Sequence, residues 1–180
     1  MYICKGAVAL RDFCLCDIDL KLKWINDPEN HKFLHYNIPL EYEKTLNWFN
    51  GRDLDRRLDC IIEFGNAPVG LIGLLEIDKI NRKAEYYITI GDHRFKRKGI
   101  ATIASELILQ VGFEVLGLNK IYLNVDAENV GACALYEKIG MTCEGYFIED
   151  LWHNGKLVDR KRYSMLRATY KKKYGKEELN

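Results

Sequence analysis

The chain has 180 residues, 48% hydrophobic and 29% charged, and its 27 Lys and Arg nearly balance 26 Asp and Glu for a net charge of +1. This suits one domain, residues 1–180, with a substantial core, and it gives no general basis for binding nucleic acid or a membrane surface. No apolar run reaches the roughly 20 residues of a membrane span, and the mixed N-terminus MYICKGAVAL does not read as a signal peptide.

The six cysteines lack paired C-x-x-C spacing, and Cys14-x-Cys16 has no His or second Cys pair to complete a metal hook. They read as free, mostly buried thiols in a reducing cytoplasm, with no metal site. Residues 7–12 are expected to form a strand. Asp17 then introduces an amphipathic helix through Ile18, Leu22 and Ile25. Asp27-Pro28-Glu29 offers a cap, a first-turn proline and an acid beside the dipole, which predicts a short helix to about residue 34. Tyr42, Leu46 and Phe49 carry a further helix over 41–50, and residues 60–64 and 69–77 flank the turn Gly65-Asn66-Ala67-Pro68 as a hairpin.

The centre of the chain is AEYYITIGDHRFKRKGIATIASELILQVGFEVL, residues 84–116. Residues 84–90 read as a buried strand, and Ile100, Ile103, Leu107, Val111 and Val115 as one helical stripe. Between them lie Arg94, Lys96, Arg97, Lys98 and Gly99. A helix N-terminus presents unpaired N–H groups and a positive dipole end, glycine admits close backbone approach, and basic residues add attraction. The stretch therefore reads as a pyrophosphate cradle, with a solvated charged turn as the plain alternative. The second glycine and Lys-Ser/Thr of a nucleotide P-loop are missing, as are the three glycines of a dinucleotide fingerprint.

Residues 120–126 form the next expected strand. Asn129 opens a helix bearing Ala132, Leu135, Tyr136 and Ile139, and Gly140 ends it. Strands at 141–149 and 157–166 flank the hairpin turn Asn154-Gly155. The tail, with Lys171-Lys172-Lys173 and Lys176, reads as a helix that frays. Strands, helices and strands again indicate a mixed α/β domain.

Lys96-Arg97-Lys98-Gly99-Ile100-Ala101 resembles the Gln/Arg-x-x-Gly-x-Gly/Ala phosphate motif of the GNAT family of acetyl-CoA-dependent N-acetyltransferases, with Lys in the first position. The segment Asn129 to Gly140 is similar to that family's Asn-x-x-Ala-x-x-Leu-Tyr-x-Lys-x-Gly-Phe, with Met141 in place of Phe. The resemblance runs from Val8-Ala9-Leu10-Arg11 to the closing hairpin. It is nearest the branch of spermidine, ribosomal-protein alanine and amino-sugar acetyltransferases, and from residue 61 onward it favours the spermidine enzymes. The stretch from Lys23 to Glu29 instead has the generic form of the wider branch.

The resemblance implies a mixed central sheet of about seven strands with a splayed central pair, flanked by four or so helices. It implies acetyl-CoA as co-substrate, held by Tyr87, Ile88, Thr89 and Ile90, by Lys96, Arg97, Lys98, Gly99, Ile100, Ala101 and Thr102, and by Asn129 and Tyr136. Tyr136 is expected to protonate the leaving thiolate. Backbone N–H groups of residues 87–90 are expected to hold the oxyanion, and Glu85 to take the acceptor's proton directly or through water. From the residues alone, Tyr136 is equally a half-buried core tyrosine, Glu85 a solvated strand acid and Asn129 an N-cap.

The acceptor is expected to be a small-molecule amine, foremost a polyamine such as spermidine, met by Trp24, Tyr36, Glu41, Glu76 and Glu85. Arg52, Arg56 and Arg57 would suit an amino-sugar nucleotide instead, and a protein N-terminus is a third acceptor. Outside catalysis, the chain would be an acetyl-CoA- or polyamine-binding sensor. The family branch also implies a homo-oligomer.

Overall fold

The computed structural model describes residues 1–175. Eight strands form one sheet: β1 (Tyr2–Lys5), β2 (Val8–Asp12), β3 (Leu58–Phe64), β4 (Ala67–Asp78), β5 (Lys83–Ile90), β6 (Lys120–Asp126), β7 (Thr142–His153) and β8 (Lys156–Leu166). The sequence-based count of seven is corrected by β1, which pairs antiparallel with β2 from Tyr2↔Arg11 to Lys5↔Val8. Its four residues are exposed or half-buried, so no buried alternation marks it in the sequence. The hairpin turn is Gly65-Asn66 alone, both at positive φ (56° and 67°), so Ala67 and Pro68 already belong to β4.

Five α-helices form among the described residues: α1 (Ile18–Ile25), α2 (Tyr42–Asn50), α3 (Ile100–Gln110), α4 (Val130–Lys138) and α5 (Arg167–Tyr174). The stretch after Pro28 is a 3-10 turn, Pro28–Phe33, in place of an α-helix; the Asp27 carboxylate accepts from the Glu29 N–H at 3.0 Å. The helix expected to run to residue 116 ends as α3 and continues as a wider π turn, Val111–Val115. Lys171, Lys172 and Lys173 belong to α5, whereas Lys176 and the expected fraying lie outside the described residues.

Strand alternation sends side chains to two cores. Ile72, Leu74, Tyr86, Ile121 and Leu123 pack with α3 and α4 on one face. Ile61, Leu71 and Tyr87 pack with α1 and α2 on the other.

The sheet order is β1-β2-β3-β4-β5-β6-β8-β7, antiparallel except where β5 meets β6. That parallel contact holds only Lys83↔Lys120, Ala84↔Ile121 and Glu85↔Tyr122. Beyond Glu85, β5 stays paired with β4 to Ile90, and β6 stays paired with β8 to Asp126. The two central strands therefore part, opening a gap with backbone groups along its walls. This is the splayed pair that the family resemblance implies.

The cysteines depart from expectation. Cys14 and Cys16 form a disulfide with Cα atoms 5.4 Å apart, a separation within the ordinary bridging range. Cys60 and Cys133 are buried thiols, but Cys4 and Cys143 are exposed. Asp17 brings a third donor within 4.8 Å of the two sulfurs. Its carboxylate is engaged by Arg11 through bonds of 2.7 and 2.8 Å.

Candidate active site

The basic loop follows β5 directly. Asp92 and Arg94 pair at 2.7 Å, and Lys96 Nζ donates to Asn30 Oδ1 at 2.8 Å, which leaves Arg97, Lys98 and Gly99 exposed. Arg97 (φ 61°) and Gly99 (φ 76°) are both left-handed, so the chain curls before α3 begins. A Cβ on Gly99 would meet nothing within 4 Å, so glycine is required there by φ and not by space. No side chain caps α3, and the buried Ile100 fixes its start, so the first-turn N–H groups of Ile100 and Ala101 face the loop, while that of Thr102 donates to the Gly99 carbonyl at 3.1 Å. Such a curl beside a helix terminus suits a phosphate.

Tyr136 lies on the α3/α4 face. Its ring is wedged between Tyr86 (centroids 6.0 Å apart) and Tyr163 (5.7 Å), and the residue is 7% exposed. Burial pushes the phenol well above its ordinary range, so the hydroxyl keeps its proton. The Asn129 Oδ1 accepts from the Ala132 N–H at 3.2 Å and so caps α4.

Glu85 points the other way. Its Oε1 accepts from Asn124 Nδ2 at 3.1 Å, and Asn124 Oδ1 accepts from Arg162 Nε at 3.1 Å. Glu85 lines two adjoining cavities on the α1/α2 face, of about 480 and 270 Å³, which also share Trp48 and Arg57. Glu76 lines the larger and is paired with Arg56.

The smaller cavity reaches Tyr36, Lys21 and Asp59. Lys21 Nζ lies 3.3 Å from the Trp48 ring centroid, and burial pulls its pKa down to about 8. Asp59 accepts from Arg57 twice at 2.8 Å and from the Tyr87 hydroxyl at 2.8 Å, with Arg52 at 3.6 Å. These donors hold its carboxyl below the usual range despite burial. At the rim, His35 Nε2 lies 3.0 Å from the Asp126 carboxylate.

A family model described as an acetyltransferase (GNAT) domain matches residues 8–142. The chain belongs to the GNAT family. Spermidine N(1)-acetyltransferase of Escherichia coli (strain K12) is 36% identical over 110 residues, 61% of this chain and 59% of that protein. The aligned part therefore spans about three fifths of that curated relative. Among solved structures, spermidine N-acetyltransferase from Vibrio cholerae in complex with CoA and spermine superposes with a TM-score of 0.86 at 29% identity, covering 92% of this chain and 99% of that one. A dodecameric structure of the Vibrio cholerae enzyme in an intermediate state gives a TM-score of 0.82 at 27% identity, covering 94% and 99%.

Within this GNAT acetyltransferase, the structure gathers the expected residues unevenly. Tyr87, Ile88, Thr89 and Ile90 line the part of β5 that diverges from β6. Tyr36, Glu76 and Glu85 line the α1/α2-face cavities. Trp24 is corrected: it is 3% exposed and packs in the core, with Gly91 directly against its ring. Glu41 is exposed at the start of α2, pairs with Lys44 at 2.7 Å and does not line these two cavities. Arg52 and Arg57 are engaged by Asp59, and Arg56 by Glu76.

Lys21, Asp59, Asn124 and the His35–Asp126 pair were not singled out from the sequence. Only Lys21 carried a signal, because it falls on the Ile18/Ile25 stripe of α1 where an apolar residue is due.

Proposed function

We propose that this GNAT acetyltransferase transfers the acetyl group of acetyl-CoA to a small primary amine by direct attack. The observation that carries this reading is the placement of a proton donor and a proton acceptor on opposite faces of a sheet that is open between them. Tyr136 is on the α3/α4 face, Glu85 is on the α1/α2 face, and β5 and β6 diverge beyond Glu85.

Acetyl-CoA supplies the thioester. Its diphosphate would rest on the curl from Lys96 to Gly99 and the first turn of α3, and its pantetheine chain along Tyr87 to Ile90 and Asn129. An alkyl ammonium with pKa near 10 is only about one part in a thousand neutral at pH 7. Glu85, held by Asn124, accepts the amine's proton directly or through water. The neutral nitrogen attacks the carbonyl, forming the C–N bond, and N–H groups on the gap side of β5 bind the oxyanion. Collapse breaks the C–S bond, Tyr136 supplies a proton to the thiolate, and the second proton shed by the nitrogen as the amide forms restores the Tyr136 hydroxyl through water.

The spermidine relatives support a polyamine in the acceptor's place, and Glu85, lining both cavities, offers its ammonium an acid. The dodecameric relative supports a homo-oligomer, as does the exposed apolar set Tyr146, Ile148 and Trp152 on the edge strand β7. The described residues contain no helix long and apolar enough to cross a membrane.

Tyr136→Phe tests the reading. Turnover is expected to fall by about 10²-fold or more, with acetyl-CoA affinity retained. Unchanged turnover would remove Tyr136 as the acid. Acetyl-CoA binding with no turnover on any amine would favour a sensor.

A further inference from the structure

The acceptor-side cavity holds an unbalanced buried charge. Lys21 is 8% exposed, and among the described residues its ammonium has no hydrogen-bond or ion-pair partner, only aromatic faces: Trp48 at 3.3 Å, with Tyr36 at 5.8 Å and Phe13 at 6.0 Å. Arg52 is stacked on Phe49, with its guanidinium carbon 3.9 Å from the ring centroid, and Arg57 lies 5.0 Å from that of Trp48. These three cations share one buried carboxylate, Asp59, which Arg57 already binds through both of its oxygens.

Aromatic faces accommodate a cation but do not neutralise it, and a buried charge without a counter-ion is costly. A polyamine would add further positive charge to this end of the cavity. Glu85, which lines the same cavity, is the acid already assigned to the reacting amine.

We propose that the acceptor is an amine whose far end carries an anion, a carboxylate or a phosphate, seated against Lys21 and Arg57. This rests on amine transfer at Glu85 and narrows the acceptor away from polyamines. The amine end meets Glu85 and the gap. The anionic end supplies the counter-charge that the Lys21–Arg52–Arg57 group lacks. The cavity of about 270 Å³ suits a small molecule of this kind, and its opposite charges set the molecule's direction.

The test is a matched series of increasing chain length: ω-amino acids, ω-aminoalkyl phosphates, diamines and spermidine, each assayed with acetyl-CoA by thiol release. One anionic class is expected to exceed its matched diamine in kcat/KM by about tenfold or more. Whichever class does so identifies carboxylate or phosphate. Lys21→Met should reduce that preference about tenfold, chiefly through KM, and Lys21→Arg should restore much of it. Diamines or spermidine preferred by the unaltered protein would overturn the proposal, as would a preference that Lys21→Met leaves intact.

Calorimetric titration with the same amino acids and aminoalkyl phosphates separates this failure from that of the transfer reading. Binding that needs Lys21, without turnover, would keep the anion site and reject amine transfer. No binding and no turnover of either anionic class would reject the site.

Discussion

Replacing Lys21 by methionine should make the free protein more stable at neutral pH. Burial is the largest cause of its lowered pKa, from the ordinary 10.5 to about 8; Arg57 and Arg52 push the same way and Asp59 opposes them. The unfolded chain therefore binds more protons than the native one between these two values, and wild-type stability rises with pH across that window. The cost is full below about pH 8 and gone above about 10.5. At pH 7 it is about 3 kcal/mol, taking roughly 1.4 kcal/mol per pKa unit. Methionine keeps the apolar stem over Trp48 but loses the cation–π contact, about 1 kcal/mol. The expected net gain is about 2 kcal/mol at pH 7, shrinking to about 1 kcal/mol near pH 9.5 and vanishing above about pH 10.5. Urea unfolding of both proteins at the two pH values measures it. A variant less stable at pH 7, or a gain that does not change with pH, would refute the reasoning.

Gly99→Glu should weaken acetyl-CoA binding about tenfold or more, because it puts a side chain at φ 76° and an anion where the diphosphate is proposed to rest. Unaltered affinity in a calorimetric titration would exclude the cradle. Gly91→Ala would place a Cβ 2.1 Å from Trp24 Cγ, and such overpacking costs about 2–3 kcal/mol, or roughly 5–10 °C in Tm. An unchanged melting curve would mean that Trp24 is free to turn, reviving its role as a substrate face.

Local signals gave most of the fold. Strand-forming residues and flanking turns located β2 to β5, the alternation of Ile121, Leu123 and Val125 located β6, the Asn154-Gly155 turn located the last hairpin, and caps at Asp27 and Asn129 placed two helical starts. The edge strand β1 escaped because it buries almost nothing, and the π turn after α3 because its stripe continues the helical one. Most of the proposed cofactor side lies together in the sequence, one loop and one helix start, and so could be proposed from it. The acceptor side was not, since it is assembled from long-range contacts: Asp59 with Tyr87, Glu85 with Asn124, and His35 with Asp126. Residue type also misled there. Trp24 and Glu41 have the chemistry of a polyamine site, but one fills a core and the other faces water.

Among the described residues, the three residue pairs joining β5 to β6 are the only ladder between two half-sheets, β1 to β5 and β6 to β8. Elsewhere along this seam, cohesion comes from side chains packed beneath it, such as Tyr136 against Tyr86 and Tyr163. A ligand with amides in series along the gap would act as a ninth strand, lending the backbone the partners that β6 withholds. Occupancy of the gap and cohesion of the whole sheet are then one equilibrium, so the protein's resistance to unfolding would serve as a gauge of how much co-substrate surrounds it.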